Sequence, residues 1–125
     1  MHIVNQADFE QLVAKAIDDI PPHYAKHIKN LAFVVEDEPS LEQRHRLHLH
    51  NNQTLYGLYE GVPLTKRAGN YNLVLPDKIT IFKRPMEFTS NSLTELEEQV
   101  RHTLWHEVAH YYGLDHGRIN KLENK

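Results

Sequence analysis

The segment from Ser92 to Gly113 constrains this chain more than any other. Ser92-Leu93-Thr94-Glu95 has the capping-box pattern, in which serine and glutamate each satisfy a backbone donor that a helix start leaves unpaired. Leu93, Leu96, Val100, Leu104 and Tyr111 then lie on one face at about 100° per residue. The spacing predicts a helix running to about Tyr112, with Gly113 as its terminator. A helix with one apolar face buries it against other elements, and the rest of the chain has to supply them.

The remaining segments fit that demand. Asn5, with Asp8 three residues on, reads as a helix cap with acid near the positive end. Phe9, Leu12, Val13, Ala16, Ile17 and Ile20 follow at three- and four-residue steps, and Pro21-Pro22 ends the stripe. His23 to Asn30 reads as a short second helix. Leu31–Val35 reads as a buried strand stopped by Glu36-Asp37-Glu38-Pro39. Residues 37–54 are polar and histidine-rich, a loop or a poorly packed helix. In Leu55–Leu64 the aromatics point to a strand, while Gly57, Gly61 and Pro63 place it at an edge or a bend. Ala68-Gly69-Asn70 reads as a turn, and Lys78–Lys83 as a second strand closed by Arg84-Pro85. No repeat or linker divides the sequence, so residues 1–125 are expected to form a single domain. The expected fold class is α+β, with a small mixed sheet packed against the long helix and the N-terminal helix nearby.

Composition narrows the chemistry. The chain has ten histidines and no cysteine, which excludes disulfides, thiolate nucleophiles and cysteine-based metal sites. Fourteen basic residues against 17 acidic ones give a net charge of −3, with no global attraction to phosphate backbones or anionic lipid. The longest apolar run, Leu31–Val35, is far below a membrane span of about 20 residues. Met1 to Gln6 has no basic head followed by an apolar stretch, so the expected location is cytoplasmic, without a membrane partner.

The long helix and its exit read His106-Glu107-Val108-Ala109-His110-Tyr111-Tyr112-Gly113-Leu114-Asp115-His116. Histidines four apart on a helix lie only about 40° apart around the axis, so His106 and His110 can reach one zinc ion. Glu107 sits about 100° round from His106, placed to flank a metal and take a proton rather than to ligate. Gly113 lets the chain turn, so that His116 can return as a third ligand. Three protein ligands leave the fourth tetrahedral position open, as a catalytic zinc requires. The competing readings are solvated or capping histidines, or a structural zinc site. The first must explain three histidines, a glutamate and a glycine at ligand-compatible spacing. The second normally fills all four positions with protein ligands.

Other candidates are weaker. His102 lies one turn before His106 and reads as a solvated position, with a role beside the site as the alternative. His45, His48 and His50 read as a polar loop rather than a second metal site. Tyr111 and Tyr112 read as core or rim aromatics, with an oxyanion-binding phenol as the alternative. Lys66-Arg67 reads as a solvated turn.

Three pieces carry a family likeness: the histidine motif, the Leu55–Arg67 stretch, and Leu75-Pro76-Asp77-Lys78-Ile79-Thr80-Ile81-Phe82. Together they resemble the small bacterial zincin-like metallopeptidases, once catalogued as a domain of unknown function. The likeness runs from Phe9 through Val34-Val35-Glu36-Asp37-Glu38-Pro39 to the C-terminus. It implies a minimal zincin fold, with His106 and His110 as metal ligands and Glu107 as general base. Members often carry an acidic residue at the position of His116, after an Asp matching Asp115. Imidazole chemistry favours His116 as third ligand here, with Asp115 the alternative if the turn after Gly113 is tighter. Metzincins share the extended motif but need a methionine turn downstream, and Met1 and Met86 are both upstream. The bacterial rRNA-maturation endoribonucleases use a motif that His106, His110, Gly113, Asp115 and His116 also satisfy. They typically have glycine where Glu107 stands, and the acidic net charge argues against an RNA substrate. The expectation is therefore a zinc-dependent peptidase acting on a peptide or protein substrate. A metal-dependent endoribonuclease-like hydrolase and a non-catalytic metal-binding module are the alternatives.

Overall fold

The computed structural model describes residues 1–49, 55–61 and 77–113. Asn5 caps the first helix, α1 (Gln6–Asp18), by accepting the Asp8 N–H at 2.8 Å. Phe9, Val13, Ala16 and Ile20 of the predicted stripe are buried, and Leu12 and Ile17 are half-buried. After Pro21 comes a single turn, α2 (Pro22–Ala25), much shorter than the predicted second helix.

Three strands follow in the order β1-β3-β2. The central strand β3 (Asp77–Phe82) runs parallel to β1 (Leu31–Glu36) and antiparallel to β2 (Gly57–Glu60). The sheet is mixed and the fold class is α+β, as the sequence predicts. β1 is half-buried rather than buried, because it lies at an edge with one neighbour. β2 is the opposite edge, in keeping with Gly57 within it and Gly61 just after it. In register, Leu31, Phe33 and Val35 of β1 share a face with Asp77, Ile79 and Ile81 of β3 and with Tyr59 and Gly57 of β2. That face meets α5 (Leu93–Tyr112), and α1 packs beside α5. The core between them includes Phe9, Val13, Ile79, Ile81, Leu96, Val100, Leu104 and Val108.

Two further helices complete the described fold, one allowed by the sequence reading and one not. Ser40 and Gln43 form a reciprocal capping box that opens α3 (Leu41–Arg46), which buries none of its residues. This is the poorly packed helix allowed for residues 37–54. Arg84-Pro85 does not close the second strand into a loop. Lys83 to Thr89 form α4, with Pro85 in the first turn, where a missing N–H costs no helical hydrogen bond. Within α4, Lys83 and Glu87 make a buried ion pair at 3.0 Å, and Glu87 also accepts the Val4 N–H at 2.8 Å. The N-terminal segment is thereby fastened beside the end of β3. Among the described residues, no helix is long and apolar enough to cross a membrane.

Candidate metal centre

The helix that carries the motif begins and ends as the sequence predicts. Ser92 accepts the Glu95 N–H at 3.1 Å, while Glu95 accepts the N–H of Asn91 at 2.6 Å. Gly113 stops α5 in the left-handed region at φ 79°, a conformation that costs other residues a steric clash of Cβ with the backbone. Leu96, Val100, Leu104 and Tyr111 are buried. Leu93 is instead 50% exposed, because the first residue of the helix precedes the turn that meets the core.

α5 lies close over β2 at one point, and glycine makes that approach possible. A Cβ on Gly57 would stand 2.7 Å from Thr103 Cγ2 and 3.3 Å from Glu107 Cγ. With no side chain there, the turn of α5 containing Glu107 rests on the edge strand. The strand in turn supplies a donor. Phe82 N–H donates to the Tyr56 carbonyl at 2.9 Å, which makes that cross-strand pair the hydrogen-bonded one. Alternation along an antiparallel ladder then turns the N–H and C=O of Gly57 and Tyr59 away from β3. The outward Tyr59 N–H donates to Glu107 Oε1 at 2.9 Å.

Around that carboxylate sit the two helical histidines. The imidazoles of His106 and His110 are neighbours, with ring centres 4.8 Å apart and planes inclined at 49°. Two imidazoles bound to one tetrahedral zinc at about 2.0–2.1 Å hold their centres roughly 5 Å apart, so this pair fits a shared ion. His110 Nδ1 lies 3.8 Å from Glu107 Oε1. Both histidines are half-buried, whereas Glu107 is only 8% exposed. Burial pushes the Glu107 carboxyl above the ordinary glutamate range, while His106 and the Tyr59 N–H pull it back part of the way.

His116 and its alternative Asp115 lie outside the described residues, as do His50, Lys66-Arg67 and the Ala68-Gly69-Asn70 turn. Among the described residues no group of three or more histidines and carboxylates is placed to hold a metal ion. Two members of the predicted ligand set are therefore together, beside the predicted base. His102 is exposed on the preceding turn. The phenol of Tyr111 is engaged by the backbone of Lys29, accepting its N–H and donating to its carbonyl, each at 2.9 Å. That of Tyr112 donates to the Tyr24 carbonyl. Both tyrosines thus fasten α5 to the chain before β1, in agreement with the core reading rather than the oxyanion alternative.

Sequence reasoning missed Tyr59 and Asp77. The signal within reach was Gly57, since a glycine inside an apolar strand often marks a close backbone approach. Which helix would approach, and which carboxylate would meet the strand, depended on register.

A buried glutamate between two helical imidazoles, on a helix packed over a small mixed sheet, defines a zincin type of architecture. A family model described as zincin-like metallopeptidase matches residues 28–125. The chain belongs to that family. A search among curated proteins found no match.

Proposed function

We propose that this protein is a zinc-dependent peptidase, with His106, His110 and His116 holding the metal and Glu107 acting as general base. One observation carries this reading: the carboxylate of Glu107 is buried beside the paired imidazoles, with a raised pKa and no lysine or arginine partner among the described residues. Zinc, when bound, polarises a substrate carbonyl and lowers the pKa of a coordinated water towards about 7. Glu107 Oε1 is held by Tyr59 N–H, which leaves Oε2 to take the proton of the attacking water and pass it to the leaving amine. An extended peptide would pair with the outward backbone groups of the edge strand β2, a mode that tolerates many sequences.

Membership of a metallopeptidase family supports zinc and hydrolysis at the level of class. The test combines metal analysis and a peptide library. Protein purified from metal-replete medium should hold one zinc per chain and cleave peptides, losing zinc in His106→Ala and His110→Ala. Glu107→Gln should retain zinc and lose turnover. Metal-stimulated cleavage of RNA without peptide cleavage would give the endoribonuclease-like alternative. Zinc binding with no turnover in the wild type would give the binding module. Absence of stoichiometric metal would end the whole reading.

A further inference from the structure

Tyr59 touches α5 twice. Its N–H meets Glu107 Oε1 at 2.9 Å, and its ring meets that of Tyr111 edge to face with centres 6.0 Å apart. That N–H belongs to the edge strand, so it lies where the strand is held. The strand pairs with β3 through only four residues, so a side-chain tie to β3 adds to what fixes its position.

A buried carboxylate performs that task. The Tyr59 hydroxyl donates to Asp77 Oδ2 at 2.6 Å, in the range of a charge-assisted bond. Asp77 is 3% exposed and opens β3, with its own N–H donating to the Asn30 carbonyl at 2.9 Å. Gly61 closes over this carboxylate. A Cβ at Gly61 would stand 2.2 Å from Asp77 Cγ, a distance no side chain tolerates. Tyr59 therefore has one end bonded to the first residue of the central strand and the other bonded to Glu107.

The geometry points to Tyr59 and Asp77 as positioning residues for Glu107: their bond sets the height of the edge strand, and its Tyr59 N–H orients the carboxylate that receives the proton. This deepens the peptidase reading and rests on it. Neither side chain needs to touch substrate or metal. The design is indirect, with a phenol–carboxylate bond on one side of the strand residue and an amide–carboxylate bond on the other.

The test uses zinc-loaded full-length protein and reads both turnover and the Tyr59 amide resonance. Tyr59→Phe keeps the ring and the N–H but removes the anchor. A misplaced catalytic group makes kcat fall roughly tenfold or more, with KM and zinc content unchanged. The Tyr59-position amide proton should move upfield as its bond to the carboxylate weakens. Asp77→Ala should match Tyr59→Phe, whereas Asp77→Asn keeps an acceptor for the phenol and should retain most of the rate. If Tyr59→Phe does not fold, the two Asp77 variants decide. Val13→Ala, on the buried face of α1 and away from the edge strand, should lower thermal stability while leaving kcat and that amide unchanged. The proposal is overturned by folded Tyr59→Phe with wild-type kcat and an unmoved amide, or by an equal loss of kcat in Val13→Ala. If the wild type hydrolyses no peptide, the peptidase reading fails by itself. The amide resonance then decides the positioning role: an upfield shift supports it and an unchanged position overturns it.

Discussion

Glu87 on α4 and Glu107 on α5 are both buried glutamates, 5% and 8% exposed, yet their two regions treat them differently. Glu87 has a cation and a backbone donor: the Lys83 ammonium at 3.0 Å and the Val4 N–H at 2.8 Å, both on Oε2. It fastens the N-terminal segment to the end of the sheet. Glu107 has one backbone N–H at 2.9 Å and a histidine nitrogen at 3.8 Å. A cation four residues earlier turns one carboxylate into a fastener. Without such a cation, the other sits above its ordinary pKa beside two potential metal ligands. Burial alone does not distinguish the two carboxylates; the partner set does.

The largest expected effect separates the two roles. Glu107→Gln should reduce peptide turnover by roughly 10²–10⁴-fold, the usual worth of a general base, with zinc content unchanged by metal analysis. A loss smaller than tenfold would remove Glu107 from the chemistry. Glu87→Ala tests the opposite corner. It strands the Lys83 ammonium, and removing one member of a buried pair costs about 3–5 kcal/mol, to be read from urea unfolding. The kcat of the remaining folded protein should be unchanged. A Glu87 variant that unfolds no more easily than the wild type would dissolve the contrast.

Gly57→Ala comes next. The new methyl meets Thr103 Cγ2, and overpacking of this kind costs about 1–3 kcal/mol. Because the same shift lifts α5 from the Tyr59 N–H, turnover should fall further than the loss of stability explains. The smallest effect is a pH dependence in zinc-free protein. Well below the carboxylate range, Glu107 is protonated in folded and unfolded chains alike, and its contribution to stability is fully present. As pH rises, the unfolded chain releases the proton first, so stability falls until the raised folded pKa is passed. Zinc-free Glu107→Gln should therefore melt above zinc-free wild type at neutral pH, with the gap closing in acid. A wild type that gains on the variant as pH rises would reverse the sign and refute the desolvated state of Glu107.

Local patterns were legible in the two long helices, α1 and α5. Asn5 and Ser92 cap where their neighbours' spacing says they should, and Gly113 ends α5. The pairing of His106 with His110 needs only helical periodicity. Other signals were present but overridden. Ser40 and Gln43 spell a capping box, yet the residues after them have no apolar stripe, so the local pattern fits a loop as well as α3. Pro85 reads as a strand breaker, and it is equally at home in the first turn of α4. Leu93 continues the apolar stripe by angle, but the core ends before reaching it.

The sequence by itself determined the helix, its ends, and the facing of two imidazoles and a glutamate along it, because those relations repeat every few residues. Tertiary structure alone decided what meets that glutamate. The Tyr59 N–H comes from 48 residues away, and the Asp77 carboxylate that anchors Tyr59 from a further strand 18 residues on. Strand register chooses which N–H groups turn outward, and a one-residue slip would point a different set at α5. No local pattern carries that choice. It is made when the apolar faces of α5, β3 and β1 close on one another and bring the edge strand under Glu107.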